Sequence, residues 1–169
     1  MTIESLRDLF ELKLSCAYDC EQKLVKKGLP GMIKGASTPE LKSALEQHLE
    51  ETRTHVSRLE KVFQSIGAEA DNEDDDVIDE MISGAEDMIS DIDESPLRDA
   101  ALIVGGNAVE HYEMAVYGSL VEFAKQLGFR DAVSLLQQTL EEEKAADAKL
   151  TEIAESSVNP RAAQEQKAA

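Results

Sequence analysis

IVGGNAVEHYEMAVY, residues 103–117, decides the fold. Ile103, Asn107, Glu110, Met114 and Tyr117 recur at spacings of three and four, the inward face of a long helix. Glu110 stands in that face and Glu113 stands beside it. A surface carboxylate needs no explanation, but one in an apolar seam must be paired, protonated or bound to a cation.

Working outward, the same anomaly appears three more times. Glu21 falls among Leu14, Ala17 and Leu24. His48 and Glu51 lie on a helix whose other inward positions include Leu41, Leu45, Leu59 and Phe63. Glu143 and Asp147 continue a line set by Leu136 and Leu140 and finished by Leu150. Four helices, each offering such groups at mid-length, predict an all-α four-helix bundle with a carboxylate-bridged dimetal centre. The candidate ligands are Glu21, His48, Glu51, Glu110, Glu113, Glu143 and Asp147. Two divalent cations close together need bridging anions, and imidazole suits iron or manganese. His48 with Glu51, and Glu110 with Glu113, repeat the i, i+3 spacing that puts two ligands on one helical face. His55 also phases inward and is an alternative ligand, whereas His111 lies beside the site or on the surface.

Helix signals set the boundaries. The first helix runs from Thr2 or Ile3 to about Lys27, where Gly28, Pro30 and Gly31 stop it or disturb its last turn. Thr38 caps the second helix, with Pro39 at its first position, and Gly67 ends it. An acidic linker, residues 69–76, precedes a short helix with Val77, Met81, Ala85, Met88 and Ile92 on one side. Ser95–Pro96 opens the third long helix, where Gly105 and Gly106 imply close packing or a bend. Gly128 ends that helix and Asp131 or a neighbour opens the fourth. Asn159–Pro160 terminates the domain, leaving residues 1–158 as the helical unit and 159–169 as a flexible tail. The short connections make each helix pair antiparallel. The long crossover with its short fifth helix then joins two hairpins.

The charge balance excludes some partners. With 35 acidic against 17 basic residues, the formal charge of −18 disfavours direct binding to nucleic acid or an anionic membrane. No apolar run has the length of a membrane span, and the first residues lack the order of a secretory signal. Cys16 and Cys20, one turn apart, are expected to be reduced structural thiols in a cytoplasmic protein.

Four segments resemble the YciF-type group of ferritin-like proteins, domain of unknown function 892. They are YDCEQKLVKKGLP (residues 18–30), ELKSALEQHLEETRTHVSRLEKVF (40–63), RDAALIVGGNAVEHYEMAVYGSL (98–120) and LLQQTLEEEKAADAKLTEIA (135–154). The resemblance implies a ferritin-like bundle with an extra short helix, commonly a homodimer, a di-iron or dimanganese site, and a place in stress responses. Its pattern puts metal-binding Glu at Glu21, Glu51, Glu110 with Glu113, and Glu143. The superfamily's Glu-x-x-His pairs are broken by Thr54 and Ala146, and His48 and Asp147 are the expected substitutes. In this reading Glu21 and Glu143 are terminal ligands, Glu51 and Glu110 bridge, and His48, Glu113 and Asp147 supplement them. The expected partner is a small oxidant, peroxide or oxygen, with peroxidase, ferroxidase or catalase-like activity. The competing expectation is a metal-free helical dimerisation protein that uses Met81, Met88 and the short helix as its contact surface.

Overall fold

Ser5 opens the first helix, its hydroxyl accepting the Asp8 N–H at 3.1 Å. The structure, a computed structural model, describes residues 3–165. Helix α1 (Leu6–Lys23) buries Phe10, Leu14, Ala17, Cys20 and Glu21. Its start is later than the sequence predicts, and Thr2, one of the two expected starts, lies outside the described residues.

The chain does not stop at Gly28. A π-turn (Leu24–Gly28), in which the Leu29 N–H donates to Leu24 O, leads directly into α2 (Leu29–Gly35). Pro30 explains the turn. In regular α-register its ring would press on the Lys26 carbonyl and its missing N–H would break the ladder, and the wider turn accommodates both defects. The same device recurs at the other proline expected to end a helix. A π-turn (Ala154–Val158) carries the chain directly into α7 (Asn159–Glu165), whose first residues are Asn159 and Pro160 and which packs on α5. The helix boundary expected at Asn159–Pro160 is therefore replaced by a continuous, locally widened helix; residues 166–169 lie outside the described residues.

Helix α3 (Pro39–Ser65) starts with Pro39 at its first turn, as predicted, but the Thr38 side chain makes no capping bond. The acceptor comes from elsewhere. Asp99, fully buried in the first turn of α5 (Pro96–Leu127), accepts the Ser37 N–H at 2.6 Å and the Thr38 N–H at 2.8 Å. One carboxylate thus ties two helix N-termini together at the same end of the bundle.

Gly67 and Gly128, at φ 73° and 76°, end α3 and α5 in the left-handed region, as predicted. Helix α6 (Arg130–Ile153) then returns antiparallel to α5. Between the hairpins the linker climbs α1. Glu73 N–H donates to Ser15 O, Asp75 N–H to Asp19, and Lys23 Nζ holds Asp19, Asp74 and Asp79 at 2.6–2.8 Å. Asp75 caps α4 (Asp76–Asp91) by accepting the Val77 and Ile78 N–H groups, and α4 packs on α5 and α2. The buried face of α4 is Ile78 and Ile82, with Ile89 against Gly35, whereas Val77 and Met88 are exposed. That face lies next to the one predicted, because Val77, Ile78, Met81, Ile82, Ala85, Met88 and Ile89 form one continuous apolar arc and the isoleucine side of it packs inward.

This is the ferritin-like arrangement: four long helices with a short fifth in the crossover. Its core is split. One cluster holds Leu24, Met32, Leu41, Leu45, Ile78, Leu102 and Leu150. The other holds Phe10, Leu14, Leu59, Val62, Tyr117, Leu120 and Leu136. At Gly106 an added Cβ would lie 2.9 Å from Leu150 Cδ1, so the expected close approach occurs there, while Gly105 faces open space. Among the described residues no helix is long and apolar enough to cross a membrane.

The buried Asp99 clasp carries the first prediction. Asp99→Ala leaves two N–H groups without an acceptor and is expected to lower stability by roughly 2–3 kcal/mol, read as a reduced urea midpoint at unchanged m-value.

Candidate metal centre

Between the two apolar clusters lies a layer of buried acids and histidines. Glu21 comes from α1, His48 and His55 from α3, Glu110 and Glu113 from α5, and Glu143 from α6. All six side chains are buried. They form two groups. His48, Glu110, Glu113 and Glu143 each bring a ligand atom within 4.8 Å of the others, and Glu21, His55 and Glu143 do the same. Glu143 belongs to both.

The histidines are oriented differently from outside. His55 Nε2 lies 2.8 Å from Glu142 Oε2, and that carboxylate is itself gripped by Arg58 through two bonds of 2.7 and 3.1 Å. A proton on Nε2 donated to Glu142 leaves the lone pair of Nδ1 directed inward, 3.0 Å from Glu143 Oε1 and 3.4 Å from Glu21 Oε1. His48 points Nε2 inward, 3.2 Å from Glu110 Oε1 and 3.9 Å from Glu143 Oε2. Tyr117 donates its hydroxyl to Glu21 Oε1, and the Cys20 thiol reaches Glu113 Oε1 at 3.8 Å.

The electrostatics are those of an anionic site in a dry core. Burial, then the charges of Glu143, Glu21 and Glu110, pushes Glu113 well above the usual carboxylate range. Burial raises Glu143 to about 7, although the His55 contact pulls it down. Burial opposes the charged form of His55, yet Glu21 and Glu143 outweigh it and raise the imidazole to about 11. Burial likewise opposes charging of His48, and Glu110 and Glu51 prevail.

The residues fit a pair of metal ions. Glu21 Oε2, Glu110 Oε2, Glu113 Oε2, both oxygens of Glu143 and Nδ1 of His55 are buried without a hydrogen-bond partner. The close approach of His55 to Glu143 is poorly directed for a hydrogen bond. Buried polar atoms in native proteins are nearly always satisfied, so so many orphans in one layer mark donors arranged for a cation. Oxygen and imidazole donors suit iron or manganese.

The comparisons with known proteins agree with this architecture. A family model described as Domain of unknown function (DUF892) matches residues 5–163. The chain belongs to the DUF892 family. It is 38% identical over 163 residues to Protein YciF of Escherichia coli (strain K12), across 96% of this chain and 98% of that one. The crystal structure of the E. coli stress protein YciF superposes with a TM-score of 0.89 at 37% identity, over 93% of this chain and 99% of that one. YcfI of Rhodopseudomonas palustris superposes with a TM-score of 0.85 at 38% identity, over 88% and 94%.

Of the candidate ligands in this DUF892 chain, five meet in the layer: Glu21, His48, Glu110, Glu113 and Glu143. Glu51 does not join either group. It is half-exposed, accepts from Gln47 Nε2 at 2.8 Å and lies 3.6 Å from His48 Nδ1. Asp147 also stays outside, partly exposed and 3.4 Å from His111 Nε2. His55, the alternative on the same helical face, joins the layer alongside His48 rather than in its place. The Glu142–Arg58 support of His55 has no periodic signature, since Glu142 reads as a surface residue.

The buried groups give a pH signature for metal-free protein. Glu143 and Glu113 have folded pKa values raised above the unfolded range, so the stability they confer is present below about pH 4.5 and is lost as pH rises, through about 7 for Glu143. His55 adds stability present below about 6.5 and lost towards about 11. Both act in one direction. The melting temperature of metal-free protein is expected to fall steadily from pH 5.5 to pH 8, with a smaller fall when Mn²⁺ is present at saturation.

Proposed function

We propose that this protein is a cytoplasmic, stress-associated dimetal-carboxylate protein, with iron as its metal and manganese as the second choice, that handles peroxide, oxygen or ferrous iron. The observation that carries the reading is Glu143, one carboxylate common to two groups of buried donors that each contain a histidine. Support for stress protection comes from the E. coli relative, described as a stress protein. The free thiols of Cys16 and Cys20 suit a reducing compartment, the acidic surface disfavours nucleic acid and anionic lipid as partners, and the homodimer is the assembly that the family resemblance implies.

In this reading His55 and Glu21 would hold one ion, His48, Glu110 and Glu113 would hold the other, and Glu143 is within reach of both groups. Such a pair, when bound, supplies electrons or a Lewis-acid surface for a small oxidant. The chain's own residues do the remaining work. Arg58 and Glu142 keep the proton of His55 on Nε2, so that Nδ1 stays available as a donor. Tyr117 holds one oxygen of Glu21 and leaves the other free. The apolar clusters on either side exclude bulk water from the layer.

Metal analysis tests the reading. Anaerobic Fe²⁺ titration is expected to give about two ions per chain. His55→Ala should retain about one, and Glu143→Ala should bind neither tightly, with loss of oxidant consumption in both. No metal uptake, with a melting temperature indifferent to Fe²⁺ and Mn²⁺, would leave the metal-free interaction protein as the answer.

A further inference from the structure

The imidazole of His48 faces two ways. Its Nε2 belongs to the buried layer, while its Nδ1 points outward, lies 3.6 Å from Glu51 Oε2 and has no hydrogen-bond partner, although the residue is only 7% exposed. His55 differs here, because its outer nitrogen is already taken by Glu142 at 2.8 Å. Gln47 holds Glu51 by Oε1 at 2.8 Å and so leaves Oε2 for the histidine side.

Glu51 and His48 form the floor of a cleft of about 760 Å³ between α3 and α6. The cleft has a structural cause. Beyond the acidic layer, the second π-turn and α7 pack on α5, away from α3. Ser43, Ala44, Ala145 and Ala146 are too small to close the gap. Its charge is negative. Glu40, Glu51 and Glu152 line it, and Lys149, which also lines it, is paired with Glu152 at 2.8 Å. An anionic cleft with low-dielectric walls concentrates cations.

We propose that Glu51 and His48 Nδ1 form an outer, transient site for a divalent cation at the floor of this cleft. Metal ions reach the buried layer through it. The proposal rests on the dimetal reading above and gives Glu51 a place outside the finished centre. A cation held outside by Nδ1 and Glu51 is one imidazole ring from the donors grouped around Nε2. Glu51 is a positioning residue for loading, and the half-exposed carboxylate suits that work because it can bind a partly hydrated ion and release it.

The test loads metal-free protein with Co²⁺ and follows its visible absorption by stopped flow. Glu51→Gln is expected to slow loading about tenfold or more, with an unchanged final number of ions and unchanged affinity in a chelator competition. Glu40→Gln, at the rim of the same cleft, should load nearly as fast as wild type. Equal loading rates for wild type and Glu51→Gln would overturn the proposal. So would an equal slowing by Glu40→Gln, which would show only a general field. Weakened tight binding at an unchanged rate would also overturn it, because Glu51 would then only orient His48. Absence of Co²⁺ uptake by the wild type would remove the dimetal reading, and this proposal with it.

Discussion

The mutual repulsion of carboxylates buried at one depth is the constraint around which this bundle is organised. Glu21, Glu110, Glu113 and Glu143 converge from three helices, far from bulk water and with too few hydrogen bonds to satisfy them. Only protons, the two imidazoles or a bound cation can offset that charge. The layer itself therefore opposes folding, and stability must come from above and below it. The divided core meets that need, since each half packs aliphatic and aromatic side chains from several helices and holds the polar layer between rigid ends.

Rigidity matters because a metal layer built on flexible ends would lose its geometry. The Asp99 clasp fixes the start of α3 relative to α5, a few turns from His48 and Glu110. The Lys23 cluster fixes the linker to α1 near Glu21. On the far side, Arg58 reaches from α3 to Glu142 and Thr139 on α6 and thereby fixes His55. Each device joins two elements that each supply donors or stand close to them. Removing one is expected to disturb the layer as much as the local contact.

Much of this was legible in the chain. Glu110, Glu113, Glu21 and Glu143 stand out because helical periodicity places each of them where an apolar residue belongs. The hairpins and the crossover followed from Gly67, Gly128 and the lengths between them. What escaped was non-local. Glu51 and His55 share a helix with His48, and periodicity alone does not separate a rim position from a buried one when the helix packs obliquely. The Thr38 cap failed because its acceptor, Asp99, comes from a distant segment. Pro160 reads as a stop, and Pro30 as a stop or a disturbed last turn, because a single widened turn leaves no mark in composition.

Those widened turns have a consequence for how the protein can change over time. A π-turn holds one residue more than the α-turn it replaces, so the helix beyond it is rotated by about 100° relative to an unbroken rod. At both Leu24–Gly28 and Ala154–Val158 this phase jump lies between the donor layer and one end of the bundle. The terminal helices therefore follow their own register. Gain or loss of a single residue there can redirect that end of the bundle, and whatever it meets, while Glu21 and Glu143 keep their bearing.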